Sequence, residues 1–179
     1  MKYELRAKLL GIRDSMPDKE RAEKSRQITE RLKALTLFQE AKSILLYYSI
    51  QSEVNTRELI AELAGKKLVY LPFTKQHVLG WAKVTSIKDL KPGAFNIPEP
   101  RQDQAPPPDL VVLPGVGFDT TGNRLGRGKG FYDRTLSSIK APTIALAFDC
   151  QIIDHVPHNR RDIPIDIVIT ETRLIRRPA

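Results

Sequence analysis

The sequence predicts an α/β fold in which a mostly parallel central sheet is flanked by helices on both faces. Continuous apolar runs at residues 43–50, 67–72 and 109–113 are typical of strands that are buried on two sides. A helical stretch over residues 56–64 separates the first two runs. Strand, helix and strand in this order form a βαβ unit, so these strands are expected to run parallel.

The remaining elements follow in chain order. Residues 1–36 are expected to be helical, with a basic amphipathic helix over 2–14 and a second helix that begins near Pro17 and runs to about Leu35. Asn55 and Thr56 can cap the helix over 56–64, and Gly65 can end it. Further elements are predicted as an edge or hairpin strand over 77–84, a helix over 129–138, and strands over 142–148 and 163–170.

A proline-rich segment interrupts this pattern at residues 97–109. It holds five of the thirteen prolines and almost no core-forming residues, which predicts a loop that crosses the surface. Because strands resume directly after it, it is not a domain boundary. The chain is therefore expected to form one domain over residues 1–179.

The glycine loop, residues 122–134, carries the most chemical information. Three glycines alternate in it with two cations, in the order Gly126, Arg127, Gly128, Lys129 and Gly130. Glycines let main-chain N–H groups approach a ligand closely, and successive N–H groups form a concave site for an anion. The loop follows the carboxyl end of a predicted strand, where ligands of α/β sheets bind. The pattern therefore predicts a phosphate-binding loop.

Other phosphate-binding and nucleic-acid-binding motifs fit this loop less well. Counted from Gly122, the second glycine of a P-loop falls on Arg127, and the lysine of a P-loop is followed by Ser or Thr, whereas Lys129 is followed by Gly130. The Rossmann pattern also fails. Residues 129–132 begin like an RNA-recognition segment, but Tyr132 occupies the position of a small residue. A flexible surface turn is the alternative without a ligand.

Composition limits the class of partner and compartment. The formal net charge is +8, which favours anionic partners or simply gives a basic, well-solvated surface. The single cysteine, Cys150, excludes an internal disulfide. No apolar run is long enough to span a bilayer, and the first residues are charged rather than signal-like. A cytoplasmic protein without a membrane partner is expected.

Two segments carry a resemblance to a known family. Residues 113–119 and 122–133 resemble the signature of the 5-formyltetrahydrofolate cyclo-ligases, also called methenyltetrahydrofolate synthetases. Weaker matches occur in order at Lys2 with Arg6 and at residues 49–56, 96–100, 145–148 and 156–166. The resemblance implies a ligase that cyclises 5-formyltetrahydrofolate to 5,10-methenyltetrahydrofolate, with ATP as co-substrate and Mg²⁺ as cofactor. ADP and phosphate would be released, after phosphorylation of the formyl oxygen and attack by N10.

The resemblance also implies three groups of site residues. The ATP-binding group comprises Lys2, Arg6, Arg124, Leu125, Gly126, Arg127, Gly128, Lys129, Gly130, Phe131 and Tyr132. Within it, Arg127 and Lys129 are the catalytic candidates, because their charges would oppose the charge that develops on the transferred phosphoryl group. The substrate-binding candidates are Tyr48, Ile50 and Glu53, and the magnesium candidates are Asp133 and Asp162, with Asp166 as a competing ligand.

Two positions depart from the family pattern. Tyr48 stands where an aliphatic residue is common, and Phe131 replaces a common tyrosine, which removes one hydroxyl group. Simpler interpretations also exist: Lys2 and Arg6 share one helix face and fit a solvated basic surface. Asp133 and Asp162 could pair with neighbouring arginines instead of a metal.

Two other functions compete with the cyclo-ligase hypothesis. The net charge and residues 127–132 would suit a nucleic-acid-binding protein, and related sheets bind sugar phosphates. The resemblance favours ATP and 5-formyltetrahydrofolate, with or without a polyglutamate tail, over nucleic acid as partners.

Overall fold

A seven-stranded sheet forms the centre of the computed structural model, which describes residues 1–179. The helices are α1 (Lys2–Asp14), α2 (Asp18–Ala34), α3 (Thr36–Glu40), α4 (Arg57–Leu63) and α5 (Phe131–Leu136). The strands are β1 (Ser43–Leu45), β2 (Leu68–Lys75), β3 (Val78–Val84), β4 (Lys91–Pro92), β5 (Pro98–Glu99), β6 (Leu110–Leu113), β7 (Gly117–Phe118), β8 (Arg124–Leu125), β9 (Thr143–Leu146), β10 (Ile167–Ile169) and β11 (Leu174–Arg176).

The strand order in this sheet is β11-β10-β9-β6-β1-β2-β3. The five inner strands are parallel, and the two outer strands, β3 and β11, are antiparallel to their neighbours. The chain proceeds from β1 to β2 on one side, then crosses to β6 on the other side of β1. The topological switch point therefore lies between β1 and β6. The predicted fold class, including the mostly parallel sheet, is confirmed.

Helices cover both faces of the sheet, as predicted. Alternate strand residues point to opposite faces, so Ile44 enters the core cluster beneath α2, α3 and α4, whereas Leu45 enters a second cluster. The second cluster includes Phe118 from the β7–β8 hairpin and Leu136 from α5. Both clusters consist of buried apolar side chains, and their burial is the main force that holds the layers together.

The first helix packs at the carboxyl edge of the sheet. Leu9 and Arg13 are its only buried residues. Leu9 lies in a small cluster with Val116, Leu125 and Val156, which flank the glycine loop. This contact brings the amino-terminal cations toward that loop.

The first strand is shorter than predicted, because pairing covers only Ser43–Leu45 and not residues 43–50. The hydroxyl of Thr56 donates to the carbonyl of Tyr47 (2.5 Å) and accepts from the N–H of Ser49 (3.1 Å). These backbone groups therefore bond to a side chain instead of a neighbouring strand. Thr56 does not cap α4 through its side chain, and Asn55 instead accepts from the N–H of Arg57 at 3.0 Å.

The carboxyl-terminal elements also differ from the prediction. The strand expected over residues 163–170 pairs only at Ile167–Ile169, because the N–H groups of Ile163 and Ile165 bond to the side chain of Asp133 and the carbonyl of Gly122. It is not the last strand, since β11 follows it. The helix expected over 129–138 spans Phe131–Leu136, because Gly130 has a left-handed φ of +68°.

The proline-rich loop protects one edge of the sheet. Pro98–Glu99 pairs with Lys91–Pro92, a short ladder that the sequence did not predict. Further along, the N–H of Ala105 donates to the carbonyl of Trp81 (2.9 Å), and the Trp81 indole donates to the carbonyl of Pro106 (2.8 Å). The loop thereby covers the outer strand β3, which would otherwise be open to pairing with another chain.

None of the helices combines the length and the apolar character that crossing a membrane would require.

Candidate active site

The candidate site lies at the carboxyl edge of the sheet, at the switch point between β1 and β6. Three chain segments meet here: residues 50–53 after β1, residues 114–117 after β6, and the glycine loop. Because the inner strands are parallel, their carboxyl ends open into one crevice. This is the position at which open α/β sheets bind ligands.

An ion pair between Arg127 and Glu53 joins the glycine loop to the segment after β1. Arg127 Nη2 donates to Glu53 Oε1 at 3.0 Å, and Arg127 Nη1 donates to Gln51 Oε1 at 3.2 Å. The N–H of Ile50 donates to the other Glu53 oxygen at 3.0 Å. The Glu53 side chain is only 6% exposed, whereas that of Arg127 is 40% exposed. The carboxylate is therefore fixed, and the arginine is free to change partner.

The Gly126–Gly130 run of the glycine loop requires glycine at two positions. Gly128 and Gly130 have φ values of +94° and +68°, in the left-handed region that other residues avoid. Arg6 Nε donates to the carbonyl of Gly126 at 2.7 Å. A Cβ on Gly128 would lie 3.5 Å from the Arg6 guanidinium. Helix α1 therefore supports this loop through Arg6, and ATP binding by Arg6 stays a prediction.

A second polar cluster lies beside the loop and contains both magnesium candidates. Lys2 Nζ and Asp162 Oδ2 are 2.8 Å apart, and Arg124 Nη2 and Asp133 Oδ2 are 3.3 Å apart. The N–H of Ile163, the residue after Asp162, donates to Asp133 Oδ1 at 3.2 Å. The two aspartates are therefore neighbours in space, although 29 positions apart in the chain.

The charge of Asp162 is well stabilised. Burial acts to raise its pKa, but hydrogen bonds from Lys2 and from the N–H of Asn159 outweigh burial and lower the pKa. The carboxylate is therefore an anion at neutral pH. This is the state in which it can bind a cation.

The two aspartates fit a magnesium ion only as a partial ligand set. The chain has no group of three or more Asp, Glu, His or Cys side chains that could hold a metal by itself. Mg²⁺ prefers oxygen ligands and is commonly bound by one or two carboxylates, with waters and substrate phosphates completing the set. Asp133 and Asp162 supply two carboxylates, so the donor chemistry fits Mg²⁺ that arrives with a nucleotide.

Lys129 and Phe131 line the outer side of the glycine loop. The Lys129 ammonium lies 5.9 Å from the ring centroid of Phe95, and the Phe131 ring meets the same ring edge-on at 6.2 Å. Phe95 is 62% exposed and has a left-handed φ of +58°. Strained backbone of this kind is enriched at functional sites. Phe95 was not among the predicted site residues, because an aromatic residue in a loop gives no local signal.

Leu125 and Tyr132 have mainly packing roles in the structure. Leu125 is 1% exposed and packs with Leu9. Tyr132 packs against the second core cluster, and the Arg124 guanidinium lies 5.4 Å from its ring. Burial raises the pKa of Tyr132, and the carboxylate of Glu53 acts in the same direction, so the phenol is neutral. Their contacts with ATP stay predictions.

The contacts of Tyr48 are with residues other than the Arg127–Glu53 ion pair. Its side chain packs against the first core cluster, and the Arg57 guanidinium lies 4.8 Å from its ring. The structure thus brings Glu53 to the glycine loop and bonds the N–H of Ile50 to Glu53, but it gives Tyr48 a different neighbour. A substrate contact by Tyr48 stays a prediction.

Arg13, which was not predicted as a site residue, connects both strand-end segments of the site. Its Nε donates to Ser52 Oγ at 2.9 Å, and its Nη1 donates to the carbonyl of Gly115 at 3.3 Å. Arg13 is 2% exposed, and its Nη2 is buried without a partner. A signal was present: Leu5, Leu9 and Arg13 are spaced by four, so a cation occupies the buried face of α1.

Comparisons with known proteins agree with the resemblance seen in the sequence. The family model described as the 5-formyltetrahydrofolate cyclo-ligase family matches residues 1–171. The 5-formyltetrahydrofolate cyclo-ligase of Mus musculus is 33% identical over 187 residues, covering 93% of this chain and 92% of the mouse protein. That of Haemophilus influenzae is 33% identical over 182 residues, covering 94% and 97%.

Solved structures agree in fold as well as in sequence. The 5,10-methenyltetrahydrofolate synthetase of Aquifex aeolicus superposes with a TM-score of 0.90 at 35% identity, covering 98% of this chain and 92% of that protein. The synthetase of Mycoplasma pneumoniae superposes with a TM-score of 0.76 at 25% identity, covering 95% and 98%. These matches span nearly the whole chain, with the glycine loop inside them. The protein therefore belongs to the 5-formyltetrahydrofolate cyclo-ligase family and is an enzyme of the ligase class.

Proposed function

We propose that this chain converts 5-formyltetrahydrofolate to 5,10-methenyltetrahydrofolate, with ATP as co-substrate and Mg²⁺ as cofactor. The observation that carries the proposal is the 3.0 Å contact between Arg127 and Glu53. It joins the loop expected to bind phosphate to the carboxylate expected to bind the folate. The two substrates would then meet at the switch point.

The chemistry explains why ATP is needed. An N-formyl carbon is amide-like and weakly electrophilic, and its oxygen is a poor leaving group. In the proposed reaction the formyl oxygen attacks the γ-phosphorus, and ADP departs. N10 then adds to the activated carbon and loses its proton, the carbon–oxygen bond breaks, and phosphate leaves, so that the N10 proton is accounted for in the released hydrogen phosphate. The product is the 5,10-methenyl cation, so all atoms and charges balance.

The glycine loop would stabilise the transferred phosphoryl group. Arg127 exchanges Glu53 and Gln51 for phosphate oxygens, which its planar fork of donors matches well. Lys129 is exposed and adds a second positive charge. Such catalysis depends mainly on alignment and charge stabilisation, because phosphoryl transfer requires little covalent chemistry from the protein.

The folate would bind on the other side of the same pair. When Arg127 leaves, Glu53 has a free oxygen that can accept from the N–H donors of the pterin ring. The exposed ring of Phe95, beside Lys129 of the glycine loop, offers a flat apolar surface. The proposed substrate includes forms with one glutamate or with a polyglutamate tail.

Asp133 and Asp162 would hold the magnesium ion of the nucleotide complex. To bind the ion, Asp133 must break its ion pair with Arg124, and Asp162 must break its ion pair with Lys2. When bound, Mg²⁺ neutralises charge on the phosphate oxygens.

A direct assay tests the proposal. Purified protein with 5-formyltetrahydrofolate, Mg²⁺ and ATP should generate the methenyl chromophore together with one ADP for each product. Omission of ATP should abolish both. An absence of chromophore at saturating substrates, together with salt-sensitive binding of RNA or DNA, would instead support the nucleic-acid-binding alternative.

A further inference from the structure

We propose that Arg13 is a positioning residue that retains a positive charge beside Glu53 after Arg127 has moved to the nucleotide. The inference rests on the proposed function, because it assumes that one ligand takes Arg127 and another takes Glu53. It concerns a side chain buried at the floor of the switch point, rather than a group that touches the reacting atoms.

A hydrogen bond from Arg13 to Ser52 fixes the position of the loop that carries Glu53. Its Nε donates to Ser52, the residue before Glu53, and the Ser52 hydroxyl donates in turn to Asp14. Its Nη1 donates to the carbonyl of Gly115, in the turn after β6. One side chain of α1 thus joins the ends of the two strands on either side of the switch point. A shift of this guanidinium would displace the loop that holds Glu53.

Electrostatics gives Arg13 a second role. A carboxylate as buried as that of Glu53 is costly without a counter-charge; Arg127 pairs with it directly, and Arg13 is bonded to Ser52, the residue before it. The Arg127 side chain is 40% exposed and extends from a loop. Arg13 is 2% exposed, and two of its nitrogens donate hydrogen bonds, one to Ser52 and one to Gly115. Burial lowers the pKa of Arg13, and the carboxylate of Glu53 opposes this effect, so the two charges interact. Arg127 can therefore leave without isolating the buried carboxylate.

The unpartnered Nη2 of Arg13 supports a functional role. A buried donor without a hydrogen bond is costly, and Arg13 is 2% exposed, whereas the side chain of Arg21, which also has an unpartnered nitrogen, is 20% exposed. A methionine would fill similar space without this penalty. The retained charge therefore needs an explanation, and the nearby carboxylate provides one.

The experiment measures folate binding with and without nucleotide. Titration calorimetry with 5-formyltetrahydrofolate would be performed on wild type, Arg13→Met and Arg13→Lys, each alone and with Mg²⁺ and the non-hydrolysable β,γ-imido analogue of ATP. Without nucleotide, Arg127 still neutralises Glu53, so Arg13→Met should weaken folate binding only a few-fold. With nucleotide bound, the loss should be about tenfold greater. Arg13→Lys, which keeps the charge, should recover most of that additional loss.

Two further variants separate positioning from simple structural support. In Glu53→Gln protein, the additional nucleotide-dependent loss from Arg13→Met should disappear, because no buried negative charge remains. Arg21→Met is the matched control: Arg21 also has an unpartnered buried donor and binds the carbonyl of Met16, but it contacts no residue of the site. It should lower stability without a nucleotide-dependent effect on folate binding.

Several results would overturn the inference. One is an equal loss of folate affinity in Arg13→Met with and without nucleotide, and another is no loss at all. If Arg13→Met does not fold, Arg13→Lys and Arg13→Gln provide the same comparison, and equal behaviour of these two would also contradict it. If one of these results is obtained while the wild-type protein binds both 5-formyltetrahydrofolate and the ATP analogue, the proposed function still stands. Wild type that bound neither would overturn both.

Discussion

Single side chains connect the two halves of the candidate site, the glycine loop and the segment after β1. Arg127 bonds to Gln51 and Glu53, which are 76 and 74 positions away in the chain. The guanidinium has a planar set of donors, and these suit a carboxylate and a phosphate equally well. A residue that must change partner has to be accessible, and Arg127 is the exposed member of its pair.

Arg127→Ala should lower kcat by about 10²–10³, by analogy with the loss of one transition-state donor in other enzymes. Arg127→Lys should lose less, because it keeps the charge but not the fork of donors. Steady-state kinetics with ATP and 5-formyltetrahydrofolate would measure both. Arg31→Ala, at an exposed arginine of α2, is the control and should leave kcat unchanged. An Arg127→Ala enzyme with normal kcat would contradict this assignment.

At the scale of elements, the glycine loop depends on its own backbone and on its neighbours. Gly128 needs a left-handed conformation, and α1 supports the loop from one side through Arg6. The β7–β8 hairpin supports it from the other side, because β8 runs directly into Gly126. The loop therefore has a defined shape before any ligand binds.

Gly128→Ala should weaken nucleotide binding more than it weakens folding. A left-handed alanine costs about 1–2 kcal/mol, and relief of this strain would move the loop N–H groups. Gly65→Ala is a matched control, because Gly65 also has a left-handed φ (+85°) and open space around it, but it ends α4 far from the loop. Urea unfolding should show a similar loss of stability in both variants. Calorimetry with the imido analogue of ATP should show weaker binding only in Gly128→Ala, and equal affinities would contradict the prediction.

The β7–β8 hairpin should depend on the charge of Asp119. Burial acts to raise the pKa of Asp119, but hydrogen bonds from Val156, Thr121 and Asn123 outweigh burial and lower it. A lowered pKa gives stability that is present above the pKa of the unfolded state, about 3.9, and is lost as pH falls through the folded-state pKa. Asp119→Asn should therefore lower the free energy of unfolding by about 2 kcal/mol at neutral pH. The difference from wild type should shrink below about pH 4.

Thermal unfolding measured from neutral to acidic pH would check this dependence. Asp103→Asn, in the exposed proline-rich loop, removes a carboxylate that makes no side-chain hydrogen bond in the structure, and it should match wild type throughout. A constant difference between Asp119→Asn and wild type at all pH values would show that the ionised form of Asp119 is not what stabilises the hairpin.

At the scale of the whole molecule, the two edges of the sheet have different tasks. The carboxyl edge holds the ion pair and the glycine loop. At the amino edge, Asp166 accepts from the N–H and hydroxyl of Thr143, both at 2.9 Å, and from Arg177 at 3.1 Å. Asp166 thus ties the start of β10 to the start of β9, which gives it a structural role in the fold.

Asp166→Asn and Asp133→Asn should therefore have different effects. Asp166→Asn should lower the free energy of unfolding by about 1 kcal/mol and leave the Mg²⁺ concentration for half-maximal rate unchanged. Asp133→Asn should raise that concentration, because it removes one proposed ligand. Magnesium titrations of the rate, with urea unfolding in parallel, would compare the two. An altered magnesium requirement in Asp166→Asn would contradict the assignment.

Much of the fold was predictable because its signals are local. Continuous apolar runs predicted the inner strands, and Gly65 predicted the end of α4. The errors occurred where distant groups replaced local ones. The side chain of Thr56 bonds to the carbonyl of Tyr47 and the N–H of Ser49, so β1 ends earlier than expected. Asp133 accepts from the N–H of Ile163, so β10 begins later than expected.

By itself, the sequence determined the parallel α/β architecture and a glycine loop able to hold phosphate, because apolar periodicity and backbone freedom are properties of neighbouring residues. Only the tertiary structure decided which side chains meet. Arg13 reaches Gly115, 102 positions away, and Arg127 reaches Glu53, because the strand order and the packing of α1 bring them to one crevice. It also gave Asp162 and Asp166 different partners, Lys2 for the first and Thr143 at the start of β9 for the second. Such contacts depend on how the layers pack, and no local pattern encodes that arrangement.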